Sequence, residues 1–408
     1  MEDTSLHSIL SGYTKPQLQD IGEILGTPGN TRVSKARLVD ALDNYLHGEP
    51  RRWLSRFTER DLRQLRDLVH AGPDKVVMQS FSVYPTLGEM IGLVSYDEDE
   101  QSRRVWINRE VYDLVKADVD AVLRAGEHSG RFELERMGLG LMNLYGAVPM
   151  DRFLSFMVDW YLESHPGSRY DQFVRNFGQS TLIKLYRYQD ETGDYMVSPC
   201  VHDPYQLLQL REHLGQRDQR RNFTYEEVHE AGSGAPYFTV GMKTAEGMRL
   251  EAMYRRVGYT GFDVTLAVHD TWVESQYTDQ VNDELYGPLV DCPLGGQLDP
   301  ESLEACCEII ADYANSVPKW FLCGKSAKEC GVGMVDWKAW RDTVQNKDQE
   351  EIPNRWKMPE PTISEGFASE MQTEQYPLGF AIPHVAPDDP CPCGSGLRYC
   401  HCHGKYLS

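Results

Sequence analysis

Cysteine and histidine are concentrated at the C-terminal end of the chain. The last eighteen residues contain four of the ten cysteines and two histidines, which are Cys391, Cys393, Cys400, His401, Cys402 and His403. A polar segment of this length cannot bury a hydrophobic core, so a fold here needs another source of stability. Thiolate and imidazole groups together select zinc over magnesium or calcium. The sequence therefore predicts a zinc-stabilised knuckle over residues 390–408.

The spacing of these residues suits a tetrahedral site. Cys391 and Cys393 are one residue apart and can offer both sulfurs from one tight turn, and Gly394-Ser395-Gly396 lets the backbone fold back. The other two ligands come from the run 400–403, and the spacing leaves open which two they are. A structural zinc site uses all four positions for protein ligands, so none remains open for catalysis.

The pattern C-P-C-G-S-G-x-x-Y-x-x-C-H-G over residues 391–404 resembles the SEC-C motif. This motif is the zinc knuckle at the end of the translocation ATPase SecA and of many small bacterial proteins. The resemblance implies Cys391, Cys393, Cys402 and His403 as zinc ligands, with Cys400 and His401 as alternative ligands. In this family such knuckles are associated with binding of the chaperone SecB and the ribosome. The folded knuckle would present Arg398, Tyr399 and Lys405 for docking.

A helix–extended–helix module is predicted over residues 1–50. Thr14 and Gln17 form a capping-box pattern, and Ser34 is suited to cap a second helix. The layout resembles the SAP and Rho-N-terminal type of small nucleic-acid-binding module. That resemblance implies that Arg32, Lys35 and Arg37 face a phosphate backbone. The alternative is a helical module that docks on another protein.

The same order of predicted elements recurs over 51–130 and 131–235. In each range, helical segments precede two short β-type runs across a polar turn, at 92–107 and 185–198, which is a hairpin pattern. Helices followed by such a hairpin resemble a winged helix. Residues 236–344 are predicted as an α+β domain with a β-type run over 262–268, and 345–389 as a linker. The predicted fold class is α+β and mainly helical, with tandem winged-helix-like units, an N-terminal helix pair and a C-terminal zinc knuckle.

Charge and hydropathy restrict the classes of function. A net charge of −21 repels phosphate backbones at long range, which argues against a general nucleic-acid coat. No apolar stretch is long enough for a membrane span, and no basic, apolar leader opens the chain, so we expect a cytoplasmic protein. Thiols are then reduced, and the scattered cysteines are predicted as buried core residues, namely Cys200, Cys292, Cys306, Cys307, Cys323 and Cys330.

We expect an adaptor that binds zinc and docks on a protein partner or the ribosome, and not an enzyme. The sequence has no P-loop, no Gly-x-Ser-x-Gly elbow and no His-Glu-x-x-His motif. One alternative is a DNA- or RNA-binding regulator that uses the N-terminal helix pair and the winged-helix-like units. A second alternative is an enzyme whose site is assembled from dispersed residues in 200–340, where Asp263, His269 and Asp270 are candidates.

We predict one zinc ion per chain, and truncation after Asp389 should remove it because all of the predicted ligands follow that residue. Native mass spectrometry of the intact and truncated chains measures the bound metal. An intact protein without zinc would show that the C-terminal motif does not form a metal site.

Overall fold

Helices dominate the described part of the molecule. The computed structural model describes residues 5–27, 33–79, 85–99, 102–178, 180–213, 220–233, 238–277, 283–294, 298–331 and 334–338. These ranges also contain two small antiparallel sheets, which confirms the α+β, mainly helical class. The predicted linker over 345–389 and the predicted knuckle over 390–408 lie outside the described residues.

Side-chain caps fix where the N-terminal helices begin. Thr14 and Gln17 form the predicted capping box, the Ser34 hydroxyl accepts from a first-turn N–H, and Thr58 forms a second box with Asp61. The elements in this part of the chain are α1 (Leu6–Gly12), α2 (Lys15–Leu25), α3 (Lys35–Gly48), α4 (Pro50–Leu54), α5 (Glu59–Ala71), β1 (Val77–Gln79), α6 (Leu87–Met90), β2 (Ser95–Asp99), β3 (Ser102–Trp106), α7 (Arg109–Val115) and α8 (Val119–His128).

The middle of the chain begins with a long helix that stops at Gly146. This residue has φ 71°, a left-handed conformation that favours glycine, and a short strand follows it. The elements here are α9 (Arg131–Tyr145), β4 (Ala147–Pro149), α10 (Met150–Ser164), α11 (Tyr170–Phe177), α12 (Leu182–Leu185), β5 (Arg187–Asp190), β6 (Gly193–Val197), α13 (Pro204–His213) and α14 (Tyr225–Ser233).

The two sheets share one strand order. The first sheet is β1-β3-β2, with Val77 opposite Val105, and the second is β4-β6-β5, with Ala147 opposite Val197. In both, the strand that precedes the hairpin pairs with the second strand of the hairpin. Both predicted hairpins are therefore confirmed. The winged-helix likeness requires this recurring order. The likeness itself stays a prediction.

The last part of the described chain is helical. The only pairing of extended residues described between 238 and 338 is an isolated bridge between Pro318 and Ser326. The elements are α15 (Ala245–Arg256), α16 (Phe262–Glu274), a 3-10 helix (Asp283–Tyr286), α17 (Gly287–Val290), α18 (Pro300–Ser316) and α19 (Ala327–Cys330).

The β-type run predicted over 262–268 is wrong, because these residues form the first half of α16. Val264 and Val268 are four residues apart, so they lie on one helix face, where both are buried with Trp272. Packing of this face outweighs the preference of valine for strands. The α+β domain expected over 236–344 accordingly contains no strand among its described residues.

The buried side chains form two hydrophobic clusters. One extends from Leu6 to Leu123 and also includes Phe132 and Leu185, whereas the other extends from Leu134 to Trp337. The junction between them falls close to residue 130. Residues on both sides of positions 50 and 235 share a cluster, so the described residues are organised around two cores.

Trp320 anchors the second core. Its side chain is fully buried, and its indole N–H donates to the Asn143 carbonyl at 2.8 Å. The ring packs edge-on against Trp272 and Tyr277, with centroids 5.5 and 5.7 Å away. Five of the six scattered cysteines are also buried, which confirms that prediction for Cys200, Cys292, Cys306, Cys307 and Cys323.

A buried carboxylate joins the two cores. Glu135 on α9 accepts from the Glu59 N–H at 3.1 Å and from the Ser180 hydroxyl at 2.8 Å, and Arg131 Nε lies 3.9 Å away. Beside it, Arg136 and Glu59 form an ion pair of 2.7 Å. Burial raises the pKa of Glu135 to about 7, although the Arg131 charge and the Ser180 hydrogen bond act in the opposite direction.

Helices α9 and α14 cross with their backbones in contact. A Cβ atom at Gly140 would lie 1.8 Å from the Val228 carbonyl oxygen, and one at Gly232 would lie 1.8 Å from the Arg136 carbonyl oxygen. Close to the crossing, the Asn143 amide donates to the Ala231 carbonyl at 3.0 Å. Only glycine allows this approach.

We predict that Gly140→Ala lowers the free energy of unfolding by about 3 kcal/mol, because the added methyl group forces the two helices apart. Urea denaturation followed by circular dichroism measures the change. Gly48→Ala is the control, since an added Cβ there meets nothing within 4 Å. If the two variants were equally stable, the close crossing would be refuted.

We predict that Glu135 makes stability fall as pH rises. Its folded pKa of about 7 lies above the ordinary 4.5, so its contribution is complete below pH 4.5 and is lost as pH rises through about 7. The loss is about 3 kcal/mol. Glu135→Gln should reduce the pH dependence of the free energy of unfolding, measured by urea denaturation, between about pH 5 and 8. Glu308→Gln, at an exposed position, should leave this pH dependence unchanged. Asp270 and Glu274 titrate in the same sense, so part of the slope remains.

Candidate functional site

The predicted zinc centre lies outside the described residues. The predicted and alternative ligands that lie outside them are Cys391, Cys393, Cys400, His401, Cys402 and His403. The predicted docking residues Arg398, Tyr399 and Lys405 lie outside them as well. Arg32 also lies outside them. These assignments remain predictions from the sequence.

The predicted nucleic-acid contacts Lys35 and Arg37 lie in the first turn of α3. Both side chains are exposed, and the N–H of Arg37 donates to the Ser34 hydroxyl. Two positive charges at a helix N-terminus face the positive end of the helix dipole, which costs some stability. An approaching phosphate would relieve this repulsion. Asp40 on the same helix is also exposed and opposes the approach of an anion.

Three potential metal ligands meet where α3 approaches α7. His47 Nε2 is 3.1 Å from Glu110 Oε1, and His47 Nδ1 is 2.9 Å from the Asp43 main-chain oxygen and 3.5 Å from its Oδ1. Asp43 Oδ1 is buried and has no hydrogen-bond partner. One ligand atom from each residue lies within 4.8 Å of the others, close enough to share one cation.

This cluster also has a structural role. The other Glu110 oxygen accepts from the Leu6 N–H at 2.8 Å, so Glu110 links α7 to α1 and α3. Burial lowers the pKa of His47, but the Asp43 and Glu110 acceptors outweigh burial and raise it overall. Asp43 and His47 are spaced four residues apart and could have been found as a pair. Nothing in the sequence indicated Glu110, because it lies on a distant helix.

The candidate catalytic residues on α16 do not converge. Asp263 is exposed near the helix start, while Asp270 lies two turns further along the helix. His269 is buried, and burial lowers its pKa to about 4, so it is neutral near pH 7. Its Nδ1 lies 3.2 Å from the Phe238 carbonyl oxygen. These contacts are those of a packed core histidine.

Two carboxyl groups on α16 have raised pKa values. Burial raises the pKa of Asp270 to about 6 and that of Glu274 to about 7, and for Glu274 the charge of Glu284 adds to the effect. Asp270 lies one helical turn from Glu274, and its charge also raises the pKa of Glu274. The sequence indicated Asp270 as a candidate and missed Glu274 and Glu284, since their partnership depends on tertiary packing.

Comparison with known proteins finds short similarities to SecA. The chain is 50% identical to the protein translocase subunit SecA of Bordetella petrii over 40 residues, which is 10% of this chain and 4% of that protein. It is 49% identical to SecA 1 of Bordetella avium over 41 residues, with the same coverage. Over 24 residues it is 67% identical to SecA of Burkholderia thailandensis, which is 6% of this chain and 3% of that protein.

These matches support a SecA-related segment of SEC-C type in this chain and reach no further. The chain spans about 4% of the length of the first of these curated relatives. No protein-family model and no solved structure matches the chain. Within the described residues, every helix is too short or too polar to cross a membrane.

Proposed function

We propose that this protein is a zinc-binding adaptor that docks on protein or ribosomal partners through a SEC-C knuckle and its helical body. The observation that carries the proposal is the cysteine and histidine pattern over 391–404. The short similarity to SecA supports it. The proposed ligands are Cys391, Cys393, Cys402 and His403, and the proposed location is the cytoplasm.

Zinc supplies the free energy that folds the knuckle. In comparable peptides this amounts to about 10–16 kcal/mol at neutral pH, far more than a polar segment of this length gains from burial. The folded knuckle then holds Arg398, Tyr399 and Lys405 in a fixed arrangement. Because the whole chain carries a charge of −21, a basic tip gives it a local point of attraction for an acidic surface.

The adaptor role needs no catalytic step. Four protein ligands leave zinc without an open coordination position, so the metal acts as a structural element. The body provides a large surface built on two joined cores. We propose that this surface selects the partner while the knuckle adds a second, zinc-dependent contact.

We predict that the zinc-free variant Cys391→Ser/Cys393→Ser loses partner binding. Purified ribosomes in a co-sedimentation assay, and purified SecB in a pull-down, are the two probes. Arg398→Gln/Lys405→Gln should keep zinc and weaken binding at least several-fold, because it removes only the charged docking groups. Cys330→Ser lies outside the motif and is the matched control for thiol loss.

The results separate the knuckle from the body. Loss of both zinc and binding in the double cysteine variant supports the adaptor. Unchanged binding of a zinc-free chain to either probe would refute a docking role for the knuckle. Failure of the wild-type protein to bind either probe would refute the ribosome and SecB as partners.

A nucleic-acid regulator is the second candidate, favoured by the exposure of Lys35 and Arg37 on α3. We predict that Lys35→Gln/Arg37→Gln abolishes any salt-sensitive binding to a DNA duplex in a fluorescence-anisotropy titration. Substitutions are required because residues 1–50 contribute to the first core, so deleting them would unfold it. Binding that survives the substitutions would exclude this surface.

A further inference from the structure

A polar cavity of about 270 Å³ opens in the second half of the molecule. Four separate parts of the chain enclose it. They are the start of α10, the β5–β6 hairpin, the end of α13 with Arg220 beyond it, and the turn at Cys323. Among the described residues, its lining includes Arg152, Arg211 and Arg220 and the two acidic residues Asp151 and Glu212. The cavity is thus locally positive in a chain of net charge −21.

Arg211 is the buried base of this cavity. Its side chain is 4% exposed, and its guanidinium group donates to the main-chain oxygens of Trp320 at 2.8 Å, Ala147 at 2.8 Å and Tyr145. These three acceptors are carbonyl dipoles, so the positive charge of Arg211 is oriented but not neutralised. Burial lowers the pKa of Arg211, because enclosing this charge in the protein costs free energy. An anion in the cavity would offset that cost.

Two further arginines add to the positive field. Arg152 is exposed at the cavity mouth, and Arg220 is half-buried in its wall. The two acidic lining residues, Asp151 and Glu212, are both exposed. These two negative charges therefore lie at the solvent side, whereas the Arg211 charge lies deepest.

The N-terminus of α10 also faces this space. Pro149 precedes the helix and offers no side-chain cap to its first-turn N–H groups, and Pro149, Asp151 and Arg152 all line the cavity. On the opposite wall, the Thr192 and Tyr195 hydroxyls are 3.1 Å apart. The Asp190 carboxylate fixes the Thr192 side chain by accepting its hydroxyl at 2.6 Å. Three arginines, the N-terminus of α10 and the Tyr195 hydroxyl thus converge on one small space, while the Thr192 hydroxyl donates its hydrogen to Asp190.

We propose that this cavity binds the oxyanion group of a small molecule, a phosphate or a carboxylate, through Arg152, Arg211 and Arg220. The planar guanidinium group offers paired N–H donors that match two oxygens of such a group. The volume suits a phosphate with a small substituent. A polymer such as RNA would have to bring many phosphates against the repulsion of the chain's net charge. This ligand site is independent of the proposed knuckle.

Isothermal titration calorimetry of the full-length protein with inorganic phosphate tests the proposal, with acetate as the carboxylate probe and sodium chloride as the ionic-strength control. Arg152→Gln and Arg220→Gln should each weaken phosphate binding about tenfold or more, as loss of one charge-assisted hydrogen bond does. Arg211 is left intact because it holds three carbonyl groups. Arg255→Gln removes the same charge from an exposed ion pair on α15 and should bind like the wild type.

Thermal unfolding provides a second readout. Phosphate should raise the melting temperature of the wild type and of Arg255→Gln, and raise it less in the cavity variants, whose stability without phosphate reports intact folding. If acetate binds and phosphate does not, and if the cavity variants weaken acetate binding, the bound group is a carboxylate. No saturable binding of either anion up to about 10 mM, or equal binding by all variants, would overturn the proposal. Binding of RNA without binding of phosphate or acetate would also overturn the proposal.

Discussion

The described structure depends on the buried carboxylate of Glu135, which joins its two hydrophobic cores. Glu135 receives hydrogen bonds from Glu59 of the first core and Ser180 of the second, with Arg131 close by. Taking a carboxylate out of water is costly, and although both oxygens have donors, burial still raises the pKa of Glu135 to about 7, so the group is buried at lower cost when protonated. These few hydrogen bonds fix the position of one core relative to the other.

Local signals made much of the fold predictable. Thr14 and Ser34 begin their helices as their side chains suggest, and the two hairpins follow from short β-type runs around polar turns. The first half of α16 was mistaken for a strand, because valine prefers strands and the helical spacing of its buried residues is visible only over a longer window. Local sequence does not show which other element each helix face packs against.

The candidate sites were predictable to different degrees. The proposed knuckle depends on residues that are close together in the sequence, so its candidate ligands can be identified without the fold. The arginine-lined cavity draws on residues from 149 to 323, and no spacing rule connects Arg152 with Arg220. The same holds for Glu110 beside His47. Both proposals place a small positive group within a chain of net charge −21.

Helix α9 connects three features of the structure. Its N-terminal half carries the contacts between the cores, its middle presses on α14 at Gly140, and its last residue, Tyr145, lies beside the arginine-lined cavity. Fifteen residues make a rod about 22 Å long. A single rigid helix therefore runs from the junction between the two cores to the arginine-lined cavity, so the helix rise sets the spacing between these two places.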